Sequence, residues 1–440
     1  MNICFVSNFS KTHLYRRIAD CLRAKMKDIN IYWIFVDEGL VSTAGRDPYL
    51  LLDLSYVHKD QEPVGEYKIH EMVISDRVFR KNIAEGCRYL RNVQQPVFDF
   101  LSKREISLVF GERTWAHEML IGRKCLLNTG LQCRYFSFGS VRIPDNRFGF
   151  FRDEVESCLE DFDNPVVIED FIVRKPGYVV SIDGMIERAS TLRGRLGRIK
   201  RFITKQNVTT SNPTVFTSLI QRLEFGVGEE LNRASYRRVK TESFEQFKGT
   251  RYVFYGLHKQ PESSIDNFGR YFEDQYLNIL NIWKNLPIGW RLLIKEHTNA
   301  IGDRPASFYA NVKRLPNVHV VHEKTNSIEI IRNALLTISV TGTISLEAGL
   351  MGKKAFTLSP VFFNLLSNVQ RLSWEDLAKL QIAAHCAEDR PANIEEYKRY
   401  ILKNTFEGNT SDPVSDPTVL KDENLALIAQ AFMALFSKRT

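Results

Sequence analysis

With 440 residues, 44% of them hydrophobic and 25% charged, the chain is too long for one ordinary core and has ample material for two. Its formal net charge of +8 suits an anionic partner (nucleic acid, anionic lipid or a phosphorylated metabolite), and no apolar run approaches the roughly 18 residues that span a bilayer. The seven cysteines (Cys4, Cys21, Cys87, Cys125, Cys133, Cys158, Cys386) are odd in number and never spaced Cys-x-x-Cys, which argues against a disulfide frame or a zinc site. With an N-terminus that lacks the basic start of a signal peptide, they lead to the expectation of a cytoplasmic protein.

Residues 2–7 read as a buried strand and the segment to about Met26 as a helix. Residues 30–36 read as a second strand, dense in β-branched and aromatic side chains. Together they form a βαβ unit. A helix over 76–103 follows, then a buried strand over 106–110. That strand stops at Gly111-Glu-Arg-Thr-Trp-Ala-His117, where another helix starts. Residues 133–138 make a fourth strand, leading into Gly139-Ser-Val-Arg-Ile-Pro-Asp-Asn-Arg147. Strand and helix thus alternate through the first 150 residues, the mark of a doubly wound sheet.

From 151 to 245 the strand signal fades and helices take over. Residues 191–205 set Leu192, Leu196, Ile199 and Ile203 on one helical face, ringed by Arg193, Arg195, Arg198, Lys200, Arg201 and Lys205. Such a helix packs its apolar stripe on the body, or docks on an anionic membrane surface. A nucleic-acid patch comes last, because no RNA- or DNA-reading fold is visible.

The alternation restarts with a strand over 251–255 that ends at Gly256-Leu-His-Lys-Gln-Pro-Glu262. A helix over 272–285, strands over 291–295 and 318–321, and a helix near 326–334 follow. The next strand, 334–340, runs into Thr341-Gly342-Thr343. A helix bearing Ser345 and Glu347 comes next, then Gly349, Gly352 and a further strand ending at Thr357. Turn-rich residues 407–417 precede a last amphipathic helix over 423–436. The expected fold is α/β: two Rossmann-like domains facing each other across a cleft, with a helical insertion and C-terminal helices. The first domain covers 1–245 and includes the helical segment 151–245. The second covers 246–405, and 406–440 is a linker with the C-terminal helix.

A strand, a small polar turn and a helix N-terminus present free backbone N–H groups and a positive dipole end to an anion. Thr341, Gly342, Thr343 and Ser345 supply that turn, and Glu347 can accept from a ribose or sugar hydroxyl. If strands 251–255, 291–295 and 334–340 are parallel neighbours, their carboxyl ends gather three groups. These are His258, Gln260 and Glu262; Lys295, Glu296 and His297; and residues 341–347. Lys295 or His297 can neutralise a departing phosphate. In the first half Glu112 directly follows a buried strand, placed to act as a general base or nucleophile; a helix N-terminal Glu would sit in the same position for structural reasons. Ser10 and Lys11, after the first strand, together with Arg142 and Arg147, are candidates for contact with an acceptor.

Two other patterns carry little. Asp161-Phe-Asp163 has an Asp-x-Asp form but reads as a turn ending an acidic helix. His319 and His322, three apart on a strand, face opposite sides. No motif asks for a metal or a cofactor.

The runs Tyr252-Val-Phe-Tyr-Gly-Leu-His-Lys-Gln-Pro-Glu262, Phe272-Glu-Asp-Gln275 and Leu286-Pro-Ile-Gly-Trp-Arg-Leu-Leu-Ile-Lys-Glu-His297 resemble bacterial capsule and surface-polysaccharide biosynthesis proteins. So do Gly302-Asp-Arg304, Phe308-Tyr309, Pro316-Asn-Val318 and Thr341-Gly-Thr-Ile-Ser-Leu-Glu-Ala348, in matching order over 250–360. Over 1–150 the resemblance rests on Gly111-Glu112 and Phe138-Gly-Ser-Val-Arg-Ile-Pro144. That group is similar to glycosyltransferases of the GT-B fold, including capsule Kdo transferases and, more remotely, bacterial sialyltransferases. The resemblance implies a nucleotide-sugar donor on the C-terminal domain, CMP-linked in the relatives, with a glycan or lipid-linked glycan acceptor on the N-terminal one. It implies no metal. Sialyl- and Kdo-type relatives carry a His-Pro pair, whereas His297 is followed by Thr298, and their acidic motif survives only as Gly111-Glu112.

The expected function is therefore a glycosyltransferase of surface-polysaccharide assembly, cytoplasmic and in contact with the inner membrane surface at most peripherally. Glu112 and His297 are its candidate catalytic residues. A nucleotide-sugar epimerase and a non-catalytic assembly component are the alternatives.

Overall fold

The computed structural model describes residues 1–52, 68–127, 131–168, 170–173 and 219–438. The basic stretch 191–205 lies outside them. The described residues divide into two compact units: unit 1 takes those within 1–165, residue 219 and 402–438, unit 2 takes those within 166–173 and 220–401. The expectation of an α/β chain with two Rossmann-like sheets holds.

Unit 1 is built on β1 (Asn2–Val6), β2 (Asn30–Phe35), β3 (Tyr49–Leu51), β4 (Leu108–Phe110), β5 (Arg134–Ser140), β6 (Arg147–Phe151) and a short β13 (Phe406–Glu407). Their order is β13-β6-β5-β4-β1-β2-β3, with β5 to β3 parallel and β6 antiparallel to both its neighbours. Side chains alternate across the sheet, so Ile3 and Phe5 enter one core while Cys4 and Val6 enter the other. The final helix, Asp422–Ser437, completes the first core with Leu425, Ile428, Phe432 and Phe436. The Phe432 ring lies 4.7 Å from that of Phe110.

The helix expected over 76–103 starts only at Ile83 and runs to Lys103, and a separate helix, Ile69–Ser75, ends before that range begins. The reason is local. Asp76 turns its carboxylate onto the N–H groups of Val78 (2.9 Å) and Phe79 (3.1 Å), and Asn82 caps the second helix through Glu85 N–H. The pair Asp161 and Asp163 is also not at a helix end. It follows β6 and a single bridge between Phe151 and Leu159, and its carboxylates pair with Arg152 (3.2 Å) and Lys403 (3.1 Å). Of the expected helical insertion, Leu219–Tyr236 is present, while residues 151–168 contain no helix.

Unit 2 carries β7 (Tyr252–Gly256), β8 (Arg291–Lys295), β9 (Val318–Val321), β10 (Leu336–Ser339), β11 (Ala355–Thr357) and β12 (Val369–Arg371). All are parallel, in the order β12-β11-β10-β7-β8-β9. The chain winds outward from β7 to β9, then returns to β10 on the other side of β7. Val253, Tyr255, Leu292, Ile294, Leu336 and Ile338 face the core that helix Gln275–Lys284 covers with Ile279 and Ile282. Among the described residues no helix is long and apolar enough to cross a membrane.

Candidate functional site

In a doubly wound sheet the loops on either side of the reversal leave toward opposite faces and open a crevice at the carboxyl edge. In unit 2 the reversal falls between β7 and β10, so the loops concerned carry His258 and residues 341–343. His258 is buried, and its Nε2 accepts the N–H of Val340 at 3.1 Å and of Thr341 at 3.4 Å. An accepting Nε2 leaves the proton on Nδ1. Burial, followed by the neighbouring His297 and Arg304 charges, pushes the His258 pKa down to about 3. The ring therefore stays neutral and fastens the β7 loop to the β10 turn.

That turn is closely made. Gly342 N–H donates to Ser339 Oγ at 3.0 Å, and Thr341 Oγ1 donates to Ser264 O at 2.7 Å. A Cβ on Gly342 would sit 3.1 Å from Ser339 Cβ and 3.3 Å from His258 Cε1, so a larger residue would press on the ring and on Ser339. Gly342 is the N-cap of helix Thr343–Leu350, with no side chain capping it. The N–H groups of Thr343 and Ile344, in its first turn, have no acceptor within the helix. Glu347 lies half-buried one turn on.

The remaining expected residues divide. Ser345 is fully buried and its hydroxyl is spent on Ser339 Oγ (2.7 Å) and Phe356 O (3.1 Å), which makes it a packing residue. Gln260 bonds Asp266 (2.8 Å) and Gln275 (3.1 Å), and Glu262 accepts from Ser264 Oγ (2.9 Å), so both hold their own loop. At the end of β8 Lys295 is buried, and beyond it His297 is exposed, its Nδ1 accepting Asn299 N–H at 3.2 Å. Between them Glu296 is fully buried.

Unit 1 has its own reversal, between β1 and β4. The loop after β1 brings Lys11 and the loop after β4 brings Glu112, and the two side chains form an ion pair. The Tyr135 hydroxyl donates to Glu112 O, and the guanidinium of Arg113 lies 4.5 Å over the Tyr135 ring. Gly111 is required there, since a Cβ would come 2.5 Å from that hydroxyl. Ser10 donates to Asp412 Oδ2 at 2.6 Å. Arg147 spends its guanidinium on Thr405 Oγ1 (3.0 Å) and Thr405 O (2.7 Å), a tie between β6 and the C-terminal segment. Arg142 sits in a left-handed turn (φ 69°), its N–H on Ser140 Oγ at 3.1 Å.

Two carboxylates escaped the sequence reading. Glu118 is fully buried; it accepts the N–H of Thr114 (2.7 Å) and Trp115 (3.0 Å) and the Asn8 amide (2.9 Å). Burial, then the charge of Glu112, pushes its pKa up to about 8 despite those donors. Glu156 is held in a left-handed turn (φ 55°) because Asp153 accepts from Ser157 N–H (2.9 Å) and Cys158 N–H (2.7 Å). Its Oε2 lies 3.8 Å from where a Gly139 Cβ would be, at the carboxyl end of β5. Burial and the Glu112 charge push its pKa up to about 7. The usable signal for Glu118 was its place three residues into a helix start; Glu156 left none.

Glu118 makes stability depend on pH with a defined sign. Its folded pKa of about 8 lies above its ordinary 4.5, so between these values the folded state keeps a proton that the unfolded chain has lost. Its contribution is fully present below the unfolded value and is lost as pH rises through the folded one. Glu118→Gln is therefore expected to flatten the fall in melting temperature between about pH 5 and 8. An unchanged slope in a pH series of thermal melts would show that Glu118 is already ionised across this range.

No family model matches the chain, and no curated protein matches it. Among solved structures it is similar to the KpsC β-Kdo 2,7 transferase of Thermosulfurimonas dismutans, at 15% identity over 79% of this chain and 90% of that one, with a TM-score of 0.36. It is similar to the UDP-GlcNAc 2-epimerase of Methanocaldococcus jannaschii in complex with UDP-GlcNAc and UDP, at 9% identity over 98% and 99%, TM-score 0.32. A glycosyltransferase of Rickettsia africae is similar at 10% identity over 99% and 98%, TM-score 0.26.

Proposed function

We propose that the chain is a glycosyltransferase of surface-polysaccharide assembly that binds a nucleotide-sugar donor on unit 2. One observation carries this reading: the β7/β10 reversal of unit 2 is fitted with an uncapped helix N-terminus. The first-turn N–H groups of Thr343 and Ile344 take the donor phosphate, Glu347 takes a ribose or sugar hydroxyl, and Lys295 and His297 meet the charge that grows on the departing nucleotide. Glu112 of unit 1 removes the proton of the acceptor hydroxyl as its oxygen attacks the anomeric carbon and the bond to phosphate breaks. The acceptor is a glycan or a lipid-linked glycan. His258 stays outside the chemistry, because both its protonation and its Nε2 are committed to the turn.

The test is a thermal-shift titration of the purified protein against CMP, UDP, GDP and their sugars, followed by product analysis with and without acceptor glycan. A ligand that binds only the folded state raises the melting temperature by mass action, about 2.7 kcal/mol of stability at a hundred times its Kd. A shift with one nucleotide and transfer only with acceptor are expected. No shift with any nucleotide defeats the proposal, and turnover of donor sugar without acceptor replaces it with an epimerase.

A further inference from the structure

We propose that Arg304 is the positioning residue of the unit 2 site, a single guanidinium that fastens the loop after β7 to the loop after β8. This rests on the donor-binding reading above. Arg304 is buried, and its Nη1 donates to both oxygens of the fully buried Glu296 at 2.8 Å. Its Nη2 donates to His258 O. Glu296 also accepts the Tyr309 hydroxyl and, at 2.8 Å, the N–H of His297. A continuous set of contacts therefore runs from His297 through Glu296 and Arg304 to His258, and from the His258 ring to the N–H groups of Val340 and Thr341. Both ends of it are groups assigned to the donor phosphate or to the turn that binds it.

The stretches Gly302-Asp-Arg304 and Phe308-Tyr309 acquire a purpose on this account. Gly302 takes a left-handed backbone (φ 108°) that only glycine adopts readily, and Arg304 follows it with its guanidinium 5.5 Å over the Phe308 ring. Asp303 adds a longer tie, accepting Gln260 N–H at 3.4 Å.

Energetics point the same way. A buried ion pair is on average no more stabilising than apolar side chains of similar volume, because desolvation offsets the attraction. Stability alone gives little reason for Arg and Glu at these positions. Arginine's planar fork can hold a carboxylate and a carbonyl at once, and lysine's single ammonium cannot reproduce that geometry.

Three variants separate positioning from folding: Arg304→Met, Glu296→Gln with Arg304→Met, and Arg304→Lys. Each is read by thermal melt, by titration with the nucleotide that the wild type binds, and by amide hydrogen exchange at His297, Val340 and Thr341. Arg304→Met orphans a buried carboxylate and is expected to lower the melting temperature sharply. The double variant removes both charges and is expected to recover most of that loss. It is also expected to bind nucleotide at least about tenfold more weakly and to exchange faster at Val340 and Thr341. A double variant with wild-type affinity and wild-type exchange overturns the proposal. If the double variant does not fold, Arg304→Lys decides: weakened binding with faster exchange supports positioning, and wild-type values for both overturn it. If the wild type binds no nucleotide, the donor reading fails, and exchange at Val340 and Thr341 alone decides whether Arg304 positions the turn.

Discussion

Replacing Glu112 by Gln is expected to lower glycosyl transfer by about 10²–10⁴-fold, the range over which a positioned general base contributes, with nucleotide affinity unchanged. β4 ends at Phe110, and the Tyr135 hydroxyl holds the Glu112 carbonyl, so the backbone of residue 112 is fixed independently of its side chain. The side chain retains 26% of its accessibility and meets Lys11, itself 15% accessible. Gln keeps the shape and still offers an oxygen to Lys11; what it cannot do is take a proton. Turnover should therefore fall without a loss of melting temperature, and without a change in the titration of unit 2 by nucleotide. A variant that transfers sugar at the wild-type rate would remove Glu112 from the chemistry. Glu156 would then be the next carboxylate to test, because it lies at the carboxyl end of β5 in the same unit.

The strands that carry both candidate sites were legible because they are buried on both faces. Asn2–Val6, Tyr252–Gly256 and Arg291–Lys295 are short apolar runs that stop at polar loops, which is how parallel strands read in a sequence. What stayed hidden depends on partners distant in the chain. β6, Arg147–Phe151, pairs with Phe406 and Glu407, some 250 residues on, and its aromatic composition does not announce an antiparallel strand. The polar residues at strand ends were found, but their tasks were not. A sequence shows that Ser345, Gln260 and Arg147 could meet a ligand; only the fold shows their hydrogen bonds turned inward. The converse holds for Glu118, Glu296 and Arg304, whose burial no local pattern announces.

Thr343→Glu separates binding from folding more sharply than any truncation, because it moves the two in opposite directions. Thr343 is the first residue of helix Thr343–Leu350, which has no acidic residue in its first turn and no side-chain cap. A carboxylate there meets the positive end of the helix dipole and the unpaired N–H groups, an interaction worth about 0.3–1 kcal/mol in the first turn of an exposed helix. The melting temperature of the ligand-free protein should hold or rise. The same carboxylate occupies the position proposed for the donor phosphate. Two like charges about 4 Å apart repel by roughly 1–4 kcal/mol between bulk water and a protein surface, a loss of about fivefold to a thousandfold in affinity. Nucleotide should therefore no longer shift the melting temperature of a protein that is itself no less stable. Thr343→Ala, which removes a hydroxyl but adds no charge, should give a smaller loss of affinity and no gain in stability. A Thr343→Glu protein that is at least as stable and still binds nucleotide at wild-type strength would place the phosphate elsewhere on the carboxyl edge. The end of β8 and the loop after it, with Lys295 and His297, would then be the first alternative.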